Sequence, residues 1–210
     1  MADMMPIFPL SIVVFPGEKI NLHIFEPRYK QLLEETRAFG TNFAVAPYFE
    51  GKDLNYATEV RLDKTVKVYK DGKSDITLYG MHVVKILEFF PKHPQKLYPA
   101  AEILPMDFTD NFDVLLNMDI IDRLKRLYQS MNIQNINLKE PQNFRCSDIG
   151  HKVGFTIDQE LEFMLINNEL DRSHYMLDHL DQFIPQVLMM EELRKKAQLN
   201  GHFQNIKPPF

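Results

Sequence analysis

Apolar and polar residues alternate along the first half of the chain, and this period of two is typical of β-strands. Residues 19–25 show it most clearly, because Ile and Leu alternate there with Asn and His. Further strands are predicted at residues 42–48, 60–69, 75–79, 82–89 and 100–104. Asp71-Gly72 predicts a hairpin turn, and Gly80 predicts a bend between two strands. Pro27 and Gly40 suit the first turn and the end of one intervening helix.

In the second half the period lengthens to 3.6 residues, which is typical of amphipathic helices. Residues 112–131 carry one continuous apolar face and predict the first of these helices. Thr156 with Gln159 three positions later is a capping-box pattern and predicts the start of a second. A third helix is predicted from about Ser173 to Leu199, and Asn200-Gly201 is its stop signal.

The period changes at residues 105–109, and this change separates a strand-rich part from a helical part, which a short tail follows. Residues 1–108 predict a small mixed β-barrel, because several short strands are separated by turns. Residues 109–202 predict an α-helical bundle, and residues 203–210 form a short tail. The predicted fold class is therefore α+β.

Three motifs near the N-terminus are the most specific part of the sequence. They read Phe8-Pro9-Leu10, Val13-Val14-Phe15-Pro16-Gly17 and Phe25-Glu26-Pro27-Arg28-Tyr29. With the strands and helices that follow, they resemble the substrate-binding domain at the N-terminus of Lon-type ATP-dependent proteases. That domain is a PUA-like barrel followed by a helical bundle, and it also occurs as a free-standing protein. The resemblance implies a protein- or peptide-binding module.

Lon proteases continue from this domain into an ATPase and a Ser-Lys peptidase. An ATPase P-loop requires Gly-x-x-x-x-Gly-Lys-Ser/Thr to hold phosphates. The Gly-Lys pairs at 51–52 and 72–73 both lack the upstream Gly of this pattern. No segment resembles the peptidase domain. We therefore expect a protein that is not an enzyme, with no catalytic residue, no cofactor and no metal.

Composition and charge indicate which classes of partner to exclude and in which compartment to expect the protein. The 210 residues carry a net charge of −5 and no basic stripe, which argues against a nucleic-acid partner. No window approaches the roughly 18 apolar residues of a membrane span, so we expect no membrane partner. The start of the chain lacks the basic segment of a secretory signal, and a single Cys suits a reducing compartment. These features predict a cytoplasmic protein.

Two groups of residues could carry chemistry. Cys146 could act as a nucleophile with His151, although a half-buried thiol is the interpretation we favour. His174, Asp178 and Asp181 share one side of the third predicted helix and could hold a metal. A solvated helical face is the interpretation that we favour there.

The candidate binding residues belong to the N-terminal motifs and to a Met pair on the third predicted helix. They are Phe15, Pro16, Arg28, Tyr29, Met189 and Met190. Arg28 could meet an incoming peptide or, as we favour, pair with a carboxylate and lock the following helix onto the barrel. Met side chains adapt to many partners but also fill cores, and an adjacent pair cannot share one helical face.

The favoured hypothesis is a module that binds extended or unfolded polypeptides through apolar side chains where barrel and helices meet. The ligand could add a strand to a sheet edge or enter an apolar groove. A separate protease or chaperone could be a further partner. Two alternatives remain open: an RNA-binding PUA-like protein, and a hydrolase.

Overall fold

The structure is a computed structural model that describes residues 3–51, 54–92, 95–134 and 136–199. It divides into two compact units, Met1–Phe108 and Thr109–Phe210. Strands and one helix form the first unit, and the second is helical. The tail predicted at 203–210 and the stop signal at 200–201 lie outside the described residues.

The first unit is a closed, mixed β-barrel with one helix. Its strands are β1 (Asp3–Leu10), β2 (Lys19–Ile24), β3 (Phe43–Pro47), β4 (Tyr56–Val68), β5 (Ser74–Phe90) and β6 (Ala100–Pro105), and α1 (Pro27–Phe39) follows β2. The strand order is β2-β5-β4-β3-β1-β6, and β5 also pairs with β6, so five strands close into a ring. Only β1 and β3 pair in parallel among the described strands. This architecture, with the helices that follow it, confirms the predicted α+β fold.

Both faces of β3 are buried, because the strand lies between two apolar clusters. Phe43 and Val45 pack in one cluster with the apolar face of α1. Ala44 and Ala46 pack in the other cluster, to which all five strands of the ring contribute. Small side chains such as Ala57 suit the interior of a narrow ring. The large residues of β3 therefore pack with α1, and its small residues pack with the other strands of the ring.

The predicted division of the chain into two strands at Gly80 is wrong, because β5 runs through this residue as one strand. The pairing of β5 with β4 does shift register between Gly80 and His82, as it does at a β-bulge. A Cβ atom at Gly80 would lie 2.3 Å from the backbone oxygen of Phe15. The amide of Gly80 donates to the carbonyl of Glu18, and the amide of Gly17 donates to the carbonyl of Gly80, both at 2.9 Å. Glycine is therefore required here for the close approach of another backbone segment. The predicted hairpin at Asp71-Gly72 is confirmed between β4 and β5.

The helical unit contains α2 (Val114–Ser130), α3 (Ile157–Leu165) and α4 (Glu169–Leu199) among its described residues. The predicted capping box is confirmed, since Thr156 accepts from the amide of Gln159 and the side chain of Gln159 accepts from the amide of Thr156. Helix α4 begins at Glu169, four residues before its predicted start at Ser173. No helix in the described part of the chain combines the length and the apolar character that crossing a bilayer requires.

Two buried charged residues anchor the start of α4. Arg172 Nε donates to the carbonyl of Ile166 at 3.1 Å, and its Nη2 donates to the carbonyl of Met164 at 3.3 Å. Glu169 Oε1 accepts from the amide of Cys146 at 2.7 Å. Burial raises the pKa of Glu169 and lowers the pKa of Arg172. The two opposite charges therefore compensate one another inside the helical unit.

Candidate functional site

A largely apolar cavity of about 650 Å³ lies within the helical unit. Helix α2, the segment after it and α4 supply most of the apolar side chains around it. These include Leu127, Met131, Ile133, Leu138, Ile149 and Phe183. The volume falls in the range of roughly 300–1,000 Å³ that is usual for ligand pockets. The cavity can therefore accept apolar groups of a ligand.

A stack of rings forms one wall of the cavity. The ring of Phe183 lies so close to Gly154 that a Cβ atom there would be 2.3 Å from Cζ. His179 stacks on Phe183 with ring centroids 5.2 Å apart, and Phe155 lies 4.4 Å from His179 on the same measure. Close packing of this kind fixes the position of Phe183, and the shape of this wall is therefore defined by α4.

The hydrogen bonds of His179 select its neutral form. Nε2 lies 2.9 Å from the carbonyl oxygen of Val153 and donates to it. Nδ1 lies 3.4 Å from Nε2 of Gln159, and it accepts because the capping box directs the Gln159 oxygen to Thr156. A proton on Nδ1 would face a second N–H donor. Burial also lowers the pKa of His179.

The helical unit is expected to lose stability as the pH falls below about 6.5, the usual pKa of an unfolded His. The folded pKa of His179 is lower, so the unfolded chain binds the proton first and the stabilisation is complete only above the unfolded pKa. His179→Gln keeps an N–H donor for Val153 but cannot titrate. Urea unfolding at about pH 7 and about pH 5 should show the larger loss in the unsubstituted protein. Equal losses in both proteins would exclude His179 as the group responsible.

Most of the charged groups at the cavity are paired. Lys139 Nζ lies 2.6 Å from Asp148 Oδ1, and His151 Nδ1 lies 2.7 Å from Glu160 Oε1. Lys152 also lines the cavity, and its ammonium group has no carboxylate partner among the residues that the structure describes. Among the described groups that line the cavity, the Lys152 ammonium is therefore the cation left without a carboxylate partner.

The candidates from the N-terminal motifs differ in their accessibility. Phe15 and Tyr29 are buried in the barrel unit, and the ring of Tyr29 stacks on Phe8 with centroids 3.8 Å apart. Pro16 is half-buried and Arg28 is exposed. Arg28 binds the carboxylate of Glu26, with Nη2 at 2.7 Å, at the residue before α1. A ligand could reach Pro16 and Arg28, whereas contact with the other two side chains would require the core to rearrange.

The Met pair lies on an exposed part of α4. Met189 is 65% exposed and Met190 is 37% exposed, and Leu188 and Leu193 beside them are exposed as well. These four residues, which we call the α4 apolar surface, extend over more than one side of the helix and offer a second region for apolar contacts. Its role in binding stays a prediction.

The cavity was not predicted from the sequence, because residues 132–144 are mostly polar and indicate no regular element. The available signal was the presence of Ile133, Ile136 and Leu138 among Asn and Gln residues in that segment. These apolar side chains follow neither a helical nor a strand period, and all three line the cavity.

The candidate chemical groups have other roles in the structure. Cys146 is fully buried rather than half-buried, its Sγ lies 3.6 Å from Ser173 Oγ, and burial raises its pKa, which disfavours the thiolate. Asp181 binds Arg123 at 2.6 Å, and this hydrogen bond lowers the pKa of Asp181. Within the described ranges, no three His, Cys, Asp or Glu side chains converge as metal ligands would.

The closed barrel and the helical unit place the chain in a class of α+β proteins that join a small β-barrel to a group of helices. A sequence profile of the ATP-dependent protease La (LON) substrate-binding domain matches residues 4–182. The chain belongs to this family.

The solved structures that share the fold include two Lon N-terminal domains. The Lon N-terminal domain protein from Xanthomonas campestris has a TM-score of 0.61 and 20% identity, over 84% of this chain and 98% of the other. The N-terminal domain of a Mycobacterium avium complex Lon protease has a TM-score of 0.63 and 13% identity, over 85% of this chain and 98% of the other. No curated protein matches the chain. At these identities the likeness concerns the fold alone.

Proposed function

We propose that this chain is a non-catalytic module that binds extended or partly unfolded polypeptides. The match of residues 4–182 to the Lon substrate-binding domain carries the proposal. The apolar cavity of the helical unit supports it, because apolar side chains of an unfolded chain are the groups that such a cavity can bury. A separate protease or chaperone would receive the bound chain, and the cytoplasm is the proposed location.

The character of the cavity favours broad selectivity. Its apolar side chains make contacts that depend on area rather than on direction, whereas hydrogen-bonding groups would select particular ligands. Ile133, for example, is 44% exposed and offers an accessible apolar contact. A module of this kind would recognise a class of segments and not one sequence.

A second route is open at the edge of the sheet. Strand β2 pairs with β5 alone among the described strands, so no described strand pairs with its other edge. An extended polypeptide can add a strand to such an edge. Lys19 lies at the start of β2 and would oppose indiscriminate pairing with other sheets.

Titration with a permanently unfolded protein tests the proposal. A reduced and carboxymethylated protein with a fluorescent label cannot refold, and its anisotropy should rise as the module is added. The same labelled protein in its native form should give no rise. Absence of binding to the unfolded form at high micromolar concentration would refute the proposal, and saturable binding of RNA instead would favour the RNA-binding alternative.

Ile133→Asp is expected to weaken the binding of the unfolded protein by about fivefold or more, because it removes an apolar contact and places a charge at the cavity. Ile157→Asp is a matched control, since Ile157 lies in the same unit, is 40% exposed and does not line the cavity. It lies at the first position of α3, where an acidic residue is favourable. Equal affinities of the two variants would place the binding site elsewhere.

A further inference from the structure

We propose that the cavity of the helical unit binds an internal apolar segment of a polypeptide that carries an acidic side chain next to it. This inference rests on the proposed function and adds the class of segment that is preferred. The observation behind it is the combination of apolar walls with one uncompensated cation, Lys152, at the rim.

A hydrogen bond from Tyr128 holds the backbone of Lys152 at the wall of the cavity. Tyr128 Oη donates to the backbone carbonyl of Lys152 at 3.1 Å, and Tyr128 itself is buried and lines the cavity. Lys152 ends a short 3₁₀ turn, Gly150–Lys152, directly before the buried Val153. The backbone is therefore held at the wall while the side chain stays exposed, which is the arrangement that a cation needs to meet a ligand.

The other ionisable side chains that line the cavity already have partners. Asp148 accepts from Lys139 Nζ at 2.6 Å and from the amide of Arg145 at 3.0 Å, so its carboxylate is already satisfied. His151 is bound to the carboxylate of Glu160 at 2.7 Å. A basic ligand would thus find no free carboxylate among the groups described at this rim, whereas an acidic ligand would find Lys152.

A carboxylate at this rim would gain a partly exposed ion pair, which corresponds to a preference of about two- to fivefold. The pair would be weakened by salt, because exposed charges are screened. An internal segment is the occupant that we assign, since an unfolded chain contains many apolar segments with acidic neighbours and only one C-terminus. Binding of a free C-terminal carboxylate is a separate outcome of the test.

Matched peptides test this inference. Each contains the same apolar core of Leu, Ile and one Trp, with both termini blocked, and the flanking residue is Glu, Gln or Lys. The protein has no Trp, so peptide fluorescence reports binding directly. The Glu peptide should bind about two- to fivefold more tightly than the Gln peptide, and the Lys peptide should bind more weakly than either. A fourth peptide has the Gln flank and a free C-terminal carboxylate.

Variants of Lys152 assign the preference to this residue. Lys152→Gln should abolish the difference between the Glu and Gln peptides, and Lys152→Glu should reverse the order of the Glu and Lys peptides. Lys195→Gln changes the net charge equally at an exposed position of α4 that does not line the cavity, and it should leave the preference intact.

Three results would overturn the inference. They are equal binding of the Glu and Gln peptides, a preference that persists in Lys152→Gln, and a gain confined to the peptide with the free C-terminus. If all peptides bind without preference, the inference fails and the proposed function stands. If neither the peptides nor the unfolded protein bind, both fail.

Discussion

Replacing Arg172 with Ala is expected to lower the free energy of unfolding of the helical unit by about 3–5 kcal/mol. Arg172 is 2% exposed, and its guanidinium donates to the carbonyls of Met164 and Ile166 at the end of α3. The variant would leave these acceptors without their donor and would leave Glu169 buried without its compensating charge. Urea unfolding followed by far-ultraviolet circular dichroism measures the loss.

Arg123→Ala is the matched control for this prediction. Arg123 pairs with Asp181 at 2.6 Å, but the two side chains are 27% and 58% exposed. Exposed pairs contribute about 1 kcal/mol or less, so the control should lose far less stability. If both variants lost the same amount, burial of the Arg172 guanidinium would not be the source of its effect.

Gly80→Ala is expected to destabilise the barrel unit by about 3 kcal/mol, at the upper end of the range for overpacked interiors. The new Cβ would lie 2.3 Å from the carbonyl oxygen of Phe15, and the residues just after Phe15 are hydrogen-bonded to Gly80 itself, through the amide of Gly17 and the carbonyl of Glu18. Neither backbone can therefore move freely to relieve the overlap. Hydrogen–deuterium exchange read separately over the strands would show faster opening of β5.

Gly40→Ala separates this steric effect from the loss of a glycine as such. Gly40 ends α1 with φ at 66°, and a Cβ atom there would meet no other atom within 4 Å. Its cost is the left-handed backbone strain alone, roughly 1–2 kcal/mol. A cost for Gly80→Ala no larger than that of Gly40→Ala would contradict the steric argument.

Local signals in the sequence predicted the local structure well. The capping box of Thr156 and Gln159, the left-handed end of α1 at Gly40 and the hairpin at Asp71-Gly72 each depend on residues within a few positions of one another. Such interactions are decided by side-chain and backbone chemistry that the sequence displays directly. For the same reason, the helices were placed correctly to within a few residues.

Features that depend on distant partners could not be predicted in the same way. Strand β1 contains Pro6 and Pro9, which suit few strands, yet it pairs with β3 on one side and β6 on the other. The early start of α4 is a second case, because Glu169 and Arg172 are charged and would ordinarily be expected at the surface. Their burial depends on Cys146 and on the end of α3, and the sequence does not show that these groups meet.

The residues of the candidate sites also differ in whether the sequence could predict them. Met189 and Met190 were recognised from composition, and both are exposed on α4. The cavity was missed because its apolar residues come from a segment without regular structure, where periodicity carries no information. Its rim charge, Lys152, becomes distinctive only when the neighbouring ion pairs of Lys139 and His151 are known.

The closed ring of strands limits when the barrel can fold during synthesis on the ribosome. Strand β6 contacts both β1 and β5, and Met5 faces Ala101 across the closing seam. Until Pro105 has emerged, the edges of β1 and β5 that pair with β6 have no hydrogen-bonding partner. Contacts between residues so far apart in sequence also form slowly. All residues up to Pro105 must therefore be synthesised before the barrel can close, and the unfinished edges are exposed to aggregation throughout that interval.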